Sequence, residues 1–403
     1  MVQVLQFKNP AIFIFATILI DAIGLGLLIP VLPEVLRRFM GDSADMAVYF
    51  GYFLSIYAGM QFLASPVLGA LSDRFGRRPV LLCSMAGAAV DYLLMALAPN
   101  LLVLFLGRVI SGLTGASMTV AASYLADVSD AKSRAANFGM IGAAWGIGFI
   151  LGPLLGGLMH GFGPFGPFYG AAILCLINFG YGVFVLPESL PPEKRRTVRI
   201  SQLNPGRSLI KILSPSPILI YITIYFILFL AGQVHPVNWT IYTQTKFQWS
   251  SMEVGFSLSF VGAMMALAQM KLTGIAVKGL GEHWALVLGT AVYTVGFALF
   301  GSANQGWMMY PIVVFFAASG MAMPALQSII AKEVPANAQG ELQGSLVSLG
   351  SLAAILAPIL YTWIFHAATA TPDRWYYPGA AYVTASAICL VALVLSFKAR
   401  LHQ

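Results

Sequence analysis

The chain has 403 residues, of which 59% are hydrophobic and only 9% are charged, whereas an ordinary soluble domain carries about a quarter charged residues. This composition excludes a water-soluble globular fold and indicates an integral membrane protein. The formal net charge is +7, but the basic residues are scattered between long apolar runs. They therefore indicate membrane topology and not a nucleic-acid surface.

Twelve apolar runs are long enough to cross about 30 Å of hydrocarbon as α-helices. They are predicted at 10–33, 46–70, 79–98, 101–123, 138–159, 167–187, 214–236, 254–276, 284–303, 307–330, 341–365 and 376–397. With the N-terminus taken as cytoplasmic, the cytoplasmic loops hold 16 Lys and Arg residues and the opposite loops hold 4. This imbalance predicts that both termini are cytoplasmic.

A polar gap rich in proline and basic residues follows the sixth run. The sequence therefore predicts an N-terminal six-helix bundle at 1–187, a cytoplasmic linker at 188–213 and a C-terminal six-helix bundle at 214–403. A repeat supports the division, because "GALSDRFGRRPVL" after the second run corresponds to "GIAVKGLGEHWAL" after the eighth. The glycines recur at an offset of 205, Gly69 as Gly274 and Gly76 as Gly281. Such internal duplication is typical of secondary transporters.

The loop "GALSDRFGRRP" concentrates charge in an otherwise apolar chain. Charged pairs at a hydrated helix junction are weak in water and become stronger when a closing interface excludes water. They therefore suit a seal that must open and close. The glycines would allow close backbone approach and a sharp turn. The predicted cytoplasmic gate comprises Gly69, Asp73, Arg74, Gly76, Arg77 and Arg78. The alternative is a basic loop that only sets topology.

The fifth run carries small residues four positions apart, which allow two helices to touch, and a proline that bends the helix. These residues are Gly148, Gly152, Pro153, Gly156 and Gly157. They are predicted to form a hinge and packing face. Generic close packing is the alternative reading.

Ionisable groups within the runs are the best functional candidates, because they are costly in a bilayer unless they face a cavity or one another. Asp21 and Arg108 lie at nearly the same predicted depth, so we expect them to form a pair that a proton can break. A static bridge is the alternative. Asp91 is either a second protonatable site or a hydrogen bond between helices. Lys271 is predicted to reach the membrane interface.

Several strings carry a family resemblance. "GALSDRFGRRPVLL" is similar to the loop signature of the major facilitator superfamily, and "GIGFILGPLLGG" to the fifth-helix signature of its proton-coupled antiporters. "IDAIGLGLLIPVLP", "VDYLL", "LGRVISGLTGA", "FQWSSMEVGFSL" and "PALQ" resemble the tetracycline/proton antiporters along nearly the whole chain. The resemblance implies an all-α fold of two pseudo-symmetric bundles and rocker-switch alternating access. It also implies that Asp21, Arg108 and Asp91 serve proton coupling.

Polar and aromatic residues expected to line a substrate cavity are Gln61, Gln233, Asn238, Trp239, Gln269, Tyr293 and Gln327. Amide and aromatic groups suit a large amphiphilic ligand. The chain departs from the tetracycline exporters at two places. Tyr293 stands where they carry an aspartate, and Met265 where they carry a histidine, which leaves proton coupling to Asp21 and Asp91.

The predicted function is a proton-coupled efflux antiporter for a drug-like, tetracycline-like molecule in a bacterial inner membrane. The alternative is a carrier of the same superfamily that imports or exports a siderophore, nucleoside or organic anion. No catalytic motif or metal-ligand spacing is evident, so neither an enzyme nor a cofactor is predicted. The expected partners are a small-molecule substrate and the lipid bilayer, with no nucleic acid, and the chain is expected to act as a monomer.

Overall fold

The computed structural model of this chain describes residues 10–41, 45–115, 117–130, 134–195, 218–335, 339–371 and 376–400. Within these ranges the regular secondary structure is helical, without a β-strand. Most of the predicted linker, residues 196–213, lies outside the described residues.

The helices before the linker begin and end close to the predicted runs. They are α1 (Pro10–Leu28), α2 (Leu32–Met40), α3 (Met46–Phe75), α4 (Arg77–Ala96), α5 (Leu101–Thr114), α6 (Ser117–Val128), α7 (Arg134–Met159) and α8 (Gly166–Val185). The short helix α2 is absent from the prediction. It is amphipathic, with Val35 and Leu36 buried and Arg38 exposed, so its apolar content is too low to register as a span.

The helices after the linker include one of exceptional length. They are α9 (Leu219–Gly232), α10 (Val234–Phe247), α11 (Ser251–Ser302), α12 (Met309–Ala317), α13 (Ala322–Lys332), α14 (Gln339–Thr369) and α15 (Ala380–Arg400). The predicted seventh run ends too early. The apolar segment formed by α9 and α10 continues to Phe247, so Asn238 and Trp239 lie on a helix.

Eleven helical segments among the described residues are long and apolar enough to cross a membrane. One of them, α11, has 52 residues and contains a non-helical residue at Gly281, where two helices meet at a kink. Because about 20 residues suffice for one crossing, α11 accounts for two spans. The twelve predicted spans are therefore all present.

The repeat is visible in the backbone. Gly76, between α3 and α4, has φ 106° and ψ 161°, and Gly281 has φ 80° and ψ 163°. Residues with a side chain rarely adopt this region, so the sharp turn requires glycine in both copies. The expected close approach at Gly69 is not present, because a Cβ there would lie 3.9 Å from Thr119 in ordinary contact. A Cβ at Gly274 would meet nothing within 4 Å.

The described helices cluster into two compact units. The first comprises Met1–Phe39, Ile56–Pro205 and Ser251–Ser259, and in it α1 packs against α7 and α8, and α4 packs against α5 and α8. Its core includes Phe13, Leu81 and Tyr124, which are all buried. The second comprises Met40–Ser55, Gly206–Ser250 and Phe260–Gln403. In it α9 packs against α14 and α15.

One hydrogen bond between helices in the first unit has a counterpart in the second. In the first unit the Ser259 hydroxyl donates a hydrogen bond to the Ile150 carbonyl oxygen at 2.6 Å. In the second unit the Ser55 hydroxyl donates to the Ile355 carbonyl oxygen at 2.8 Å. Both carbonyls lie three residues before a proline inside a helix, Pro153 or Pro358, and the two prolines are separated by the repeat offset. The duplication therefore extends from the loops to the helix contacts.

Candidate functional site

A cavity in the first unit contains one of the candidate carboxylates. It lies among α1, α3, α4, α5 and α7, and its polar and aromatic lining includes Asp21, Tyr57, Gln61, Tyr92, Ser111 and Trp145. Asp21 and Gln61 belong to the predicted site, whereas Tyr57, Tyr92, Ser111 and Trp145 do not. Tyr57 could have been found from its place four residues before Gln61, because residues so spaced share a helix face.

The buried arginine of this site forms an ion pair with Asp91. Arg108 and Asp91 form an ion pair through the arginine Nη2 and the aspartate Oδ2, and their side chains are 2% and 0% exposed. Asp21, the partner predicted from helix depth, lies on the wall of the cavity and is partly buried. Asp91 therefore has the role of an ion-pair partner between neighbouring helices in this structure.

Local geometry explains the pair. α4 and α5 form an antiparallel hairpin, and Asp91 and Arg108 lie at similar distances from its turn at 97–100. Gly107 brings the helices together, since a Cβ there would lie 2.8 Å from the Asp91 Oδ1 atom. The Arg108 guanidinium lies 5.2 Å from the Tyr57 ring centroid and 5.8 Å from that of Tyr92. These cation–π contacts stabilise a charge that is otherwise removed from water.

Gln61 lines the cavity at a break in the fourth span. α5 ends at Thr114 and Gly115 is its C-cap; the Gln61 amide nitrogen donates a hydrogen bond to the Gly115 carbonyl oxygen at 2.7 Å. A carbonyl at a helix end lacks an intrahelical donor, so this bond satisfies it. This bond therefore orients Gln61 on the wall of the cavity that Asp21 also lines.

The glycines of the fifth span position the helix that carries Asp21. A Cβ at Gly152 would lie 2.7 Å from the Gly26 Cα atom on α1, and a Cβ at Gly148 would overlap Ala22, the residue after Asp21. A Cβ at Gly156 would meet the carbonyl oxygen of Leu27. The backbones of α1 and α7 are therefore in direct contact along this stripe. Gly157 faces away from α1 and lies against the start of α11 instead.

The predicted gate loop holds a network of ion pairs within the first unit. Arg77 pairs with Asp73, and its Nε atom lies 3.1 Å from the Asp127 carboxylate. Arg78 donates to the Val183 carbonyl oxygen at 2.7 Å, and the Arg74 guanidinium lies 5.1 Å from the Phe75 ring centroid. The arginines thus differ in role, and Arg77 is the one at the centre of the charged network.

Glu188, at the start of the predicted linker, also belongs to this network. Its carboxylate accepts hydrogen bonds from the backbone N–H groups of Arg77 at 2.8 Å and Arg78 at 3.2 Å. These are the first N–H groups of α4, which have no partner inside the helix. A negative charge at this position is also attracted to the positive, N-terminal end of the helix dipole. Sequence analysis missed Asp127 and Glu188, because their partners are distant in the chain.

The second unit contains an equivalent ion pair with the charges exchanged. The Lys332 Nζ atom lies 2.7 Å from the Glu282 carboxylate, and the Ser328 hydroxyl donates to the same carboxylate at 2.6 Å. Glu282 and Lys332 occupy the positions of Arg77 and Asp127 at the repeat offset of 205. The repeat therefore preserves the positions of this ion pair and reverses its polarity.

The predicted cavity residues of the C-terminal helices do not share one environment. Asn238 and Trp239 are fully buried, and the Trp239 ring packs against Phe300 with centroids 5.5 Å apart. Gln233 and Tyr293 are partly buried, while Gln269 and Gln327 are exposed. Lys271 is exposed, as expected of an interfacial lysine. Trp239 is therefore a core residue in this structure.

Comparisons with known proteins agree with this architecture. A family profile described as Major Facilitator Superfamily matches residues 14–358 and 238–401. The chain belongs to the Major Facilitator Superfamily. It is 41% identical over 386 residues to the tetracycline resistance protein of class C from Escherichia coli, covering 96% of each chain. It is also 41% identical over 386 residues to the class D protein of Salmonella ordonez, covering 95% of this chain and 97% of that one.

A solved structure shares the fold of this superfamily member. The human organic anion transporter MFSD10 (TETRAN) has a TM-score of 0.70 and 24% identity, covering 96% of this chain and 98% of that one. Together with the twelve apolar spans, these similarities show that the chain is a multi-pass membrane transporter. Within the described residues there is no group of three or more His, Cys, Asp or Glu side chains that could hold a metal ion.

Proposed function

We propose that this transporter is a proton-coupled antiporter that exports amphiphilic, drug-like molecules by alternating access. The observation that carries the proposal is the cavity in the first unit, which Asp21 lines together with Tyr57. The Tyr57 ring centroid lies 5.2 Å from the guanidinium of Arg108, which is paired with Asp91. With Arg108 neutralised by Asp91, the three groups have a formal net charge of −1 when Asp21 is ionised. Protonation of Asp21 would remove that charge, which would link proton binding to substrate binding.

The lining of the cavity supports an amphiphilic substrate. Tyr57, Tyr92 and Trp145 supply aromatic surface, and Asp21 and Gln61 supply a small number of polar groups. Ligand sites for drug-like molecules combine apolar walls with a few polar groups in this way. The relatives that are 41% identical over nearly the full chain are tetracycline resistance proteins, which makes tetracycline the first probe to test.

The membrane arrangement forms part of this proposal. The chain functions as a monomer without a cofactor in a bacterial inner membrane, with both termini in the cytoplasm and with six-helix halves at 1–187 and 214–403. The distribution of Lys and Arg residues supports this orientation. Reporter fusions at residue 403 and in the loop after Gly163 would test it, because the proposal requires them to report opposite sides.

The transport function can be tested in inside-out membrane vesicles with an acidic lumen. Tetracycline or ethidium should release protons from the lumen in vesicles that contain the wild-type protein. Asp21→Asn should abolish this release, while Asp45→Asn should leave it unchanged, because Asp45 is 66% exposed and lies outside the cavity. Proton release that persists in Asp21→Asn vesicles would refute the role of Asp21. The absence of any release from wild-type vesicles would refute drug/proton exchange for these probes.

A further inference from the structure

A second buried polar group lies in the C-terminal helices. His235 and Asn238 are one turn apart on α10, and they are 9% and 0% exposed. Five aromatic rings surround the imidazole, with centroids between 4.7 and 5.7 Å from its own: Trp239, Phe297, Phe300, Phe316 and Tyr382. These rings come from α10, α11, α12 and α15. The imidazole is therefore enclosed on several sides by aromatic surface.

Neither polar side chain has a hydrogen-bond partner among the described residues. Both ring nitrogens of His235 and both amide atoms of Asn238 are buried without one. Each unsatisfied buried group destabilises a protein by about 1–3 kcal/mol, and native structures rarely retain such groups without a reason. A phenyl ring and a leucine would fill the same space without this penalty. Since these four atoms have no partner among the described residues, they suit a partner such as water or a proton carried by water.

The position of His235 relates it to the missing titratable groups of this half. Phe316 lies between His235 and Tyr293, with ring centroids 4.7 Å from the imidazole and 5.2 Å from the Tyr293 ring. Tyr293 occupies the position where the family resemblance implies an aspartate. The Phe316 ring thus separates His235 from the position of Tyr293, where an acid would be expected.

The helices around His235 carry two other imidazoles, His283 beside Trp284 and His366 beside Asp45. They also carry phenol, thiol and ammonium groups: Tyr293 on α11, Tyr361 on α14, Tyr382 and Cys389 on α15, and Tyr242 and Lys246 on α10 itself. The hydroxyls of Tyr242 and Tyr361 donate to backbone carbonyl oxygens, and Lys246 donates to the Tyr242 hydroxyl oxygen. Phenols, thiols and lysines ordinarily titrate well above pH 7, whereas an imidazole titrates close to it. His235 is the imidazole that the five aromatic rings enclose.

We propose that His235, assisted by Asn238, is a proton-binding site of the C-terminal helices. In this structure the site is closed to water. When water reaches it, one ring nitrogen accepts a proton to form imidazolium, and the ring returns the proton to water on release; no other bond forms or breaks. The surrounding aromatic rings stabilise the cation through cation–π attraction, and the Asn238 carbonyl oxygen can accept a hydrogen bond from it. This inference rests on the proposed proton coupling.

The transport test separates coupling from packing. His235→Phe keeps the aromatic volume and His235→Gln keeps polarity, but neither can bind a proton near neutral pH. In proteoliposomes both variants should retain tetracycline counterflow at equal pH, which requires no net proton movement. With a gradient of about one pH unit, loss of one coupled proton per cycle should lower tetracycline accumulation about tenfold. His366→Phe is the matched control, because that histidine lies beside Asp45 at the end of α14, outside the aromatic enclosure.

Wild-type accumulation in both variants would overturn the proposal. Loss of counterflow in His235→Gln would also overturn it, because it would indicate a structural role. An NMR titration of labelled histidine in nanodiscs provides a test without any substrate. The signal that disappears in His235→Phe should shift as the pH is lowered, and a signal that stays constant at every pH tested would refute the inference. Failure of wild-type transport with a shifting His235 signal would count against the proposed function alone.

Discussion

The ion pair between Asp91 and Arg108 gives the most specific energetic prediction. Asp91→Asn removes the negative charge and leaves the Arg108 guanidinium, which is 2% exposed, without its anionic partner. Breaking a buried ion pair on one side destabilises a protein by about 3–5 kcal/mol, because the remaining charge stays desolvated. The nearby rings of Tyr57 and Tyr92, at 5.2 and 5.8 Å, can offset only part of this loss.

A double variant tests whether the loss comes from the pair. Arg108→Gln combined with Asp91→Asn replaces two charges by two neutral amides that can hydrogen-bond to each other. The double variant should therefore be more stable than the sum of the single effects implies, with a coupling energy of about 2–3 kcal/mol. Asp21→Asn is the matched control, because the Asp21 side chain lies on the cavity wall and is only partly buried. It should change the free energy of unfolding by less than about 1 kcal/mol.

The assay is SDS-induced unfolding in mixed micelles, followed by tryptophan fluorescence, which gives the free energy of unfolding for each variant. Trp145 lines the same cavity and reports on this unit. Additive effects of the two substitutions would refute the pairing. A stability loss in Asp21→Asn equal to that in Asp91→Asn would show that Asp21 stabilises this unit as much as Asp91 does, which would contradict the prediction.

Three further predictions concern packing and charge, and the same unfolding assay measures them. Gly152→Ala should destabilise the protein by about 1–3 kcal/mol because its Cβ meets the α1 backbone, whereas Gly146→Ala, with open space, should change stability by less than about 0.5 kcal/mol; equal effects would refute the packing stripe. Glu188→Ala should lower stability by about 1 kcal/mol through loss of the α4 cap, and no change would refute that role. Glu282→Lys or Lys332→Glu alone should lower the free energy of unfolding by less than about 1 kcal/mol, and the double variant should recover that loss. A double variant that does not recover it would refute the pair.

Several features of this transporter could be predicted from local sequence. The spans follow from run length and hydropathy, which depend on residues that are adjacent in the chain. The turn at Gly76 and its copy at Gly281 follow from glycine, because the backbone there has a positive φ that other residues avoid. The amphipathic helix α2 was missed because it is short and only one face is buried.

The environment of the C-terminal candidates was harder to predict. Trp239 is a residue type that often lines ligand sites, yet it is fully buried against Phe300 and His235. His235 lies at the end of the run as predicted from hydropathy, but the helix continues to Phe247 and encloses it among aromatic rings. Local hydropathy does not predict this enclosure, because four of the five rings belong to segments more than 50 residues further along the chain.

The sequence by itself determined the number of membrane spans and the repeat at an offset of 205. Only the tertiary structure decided that Arg108 pairs with Asp91 and that the glycines of α7 hold the helix of Asp21. The physical reason is that depth in the membrane follows from counting residues along a helix. The direction in which a side chain points depends on the rotation of the helix about its axis. That rotation is fixed by packing at residues such as Gly107 and Gly152. The spacing of small residues predicts a packing face at Gly152, but it does not specify which helix that face contacts.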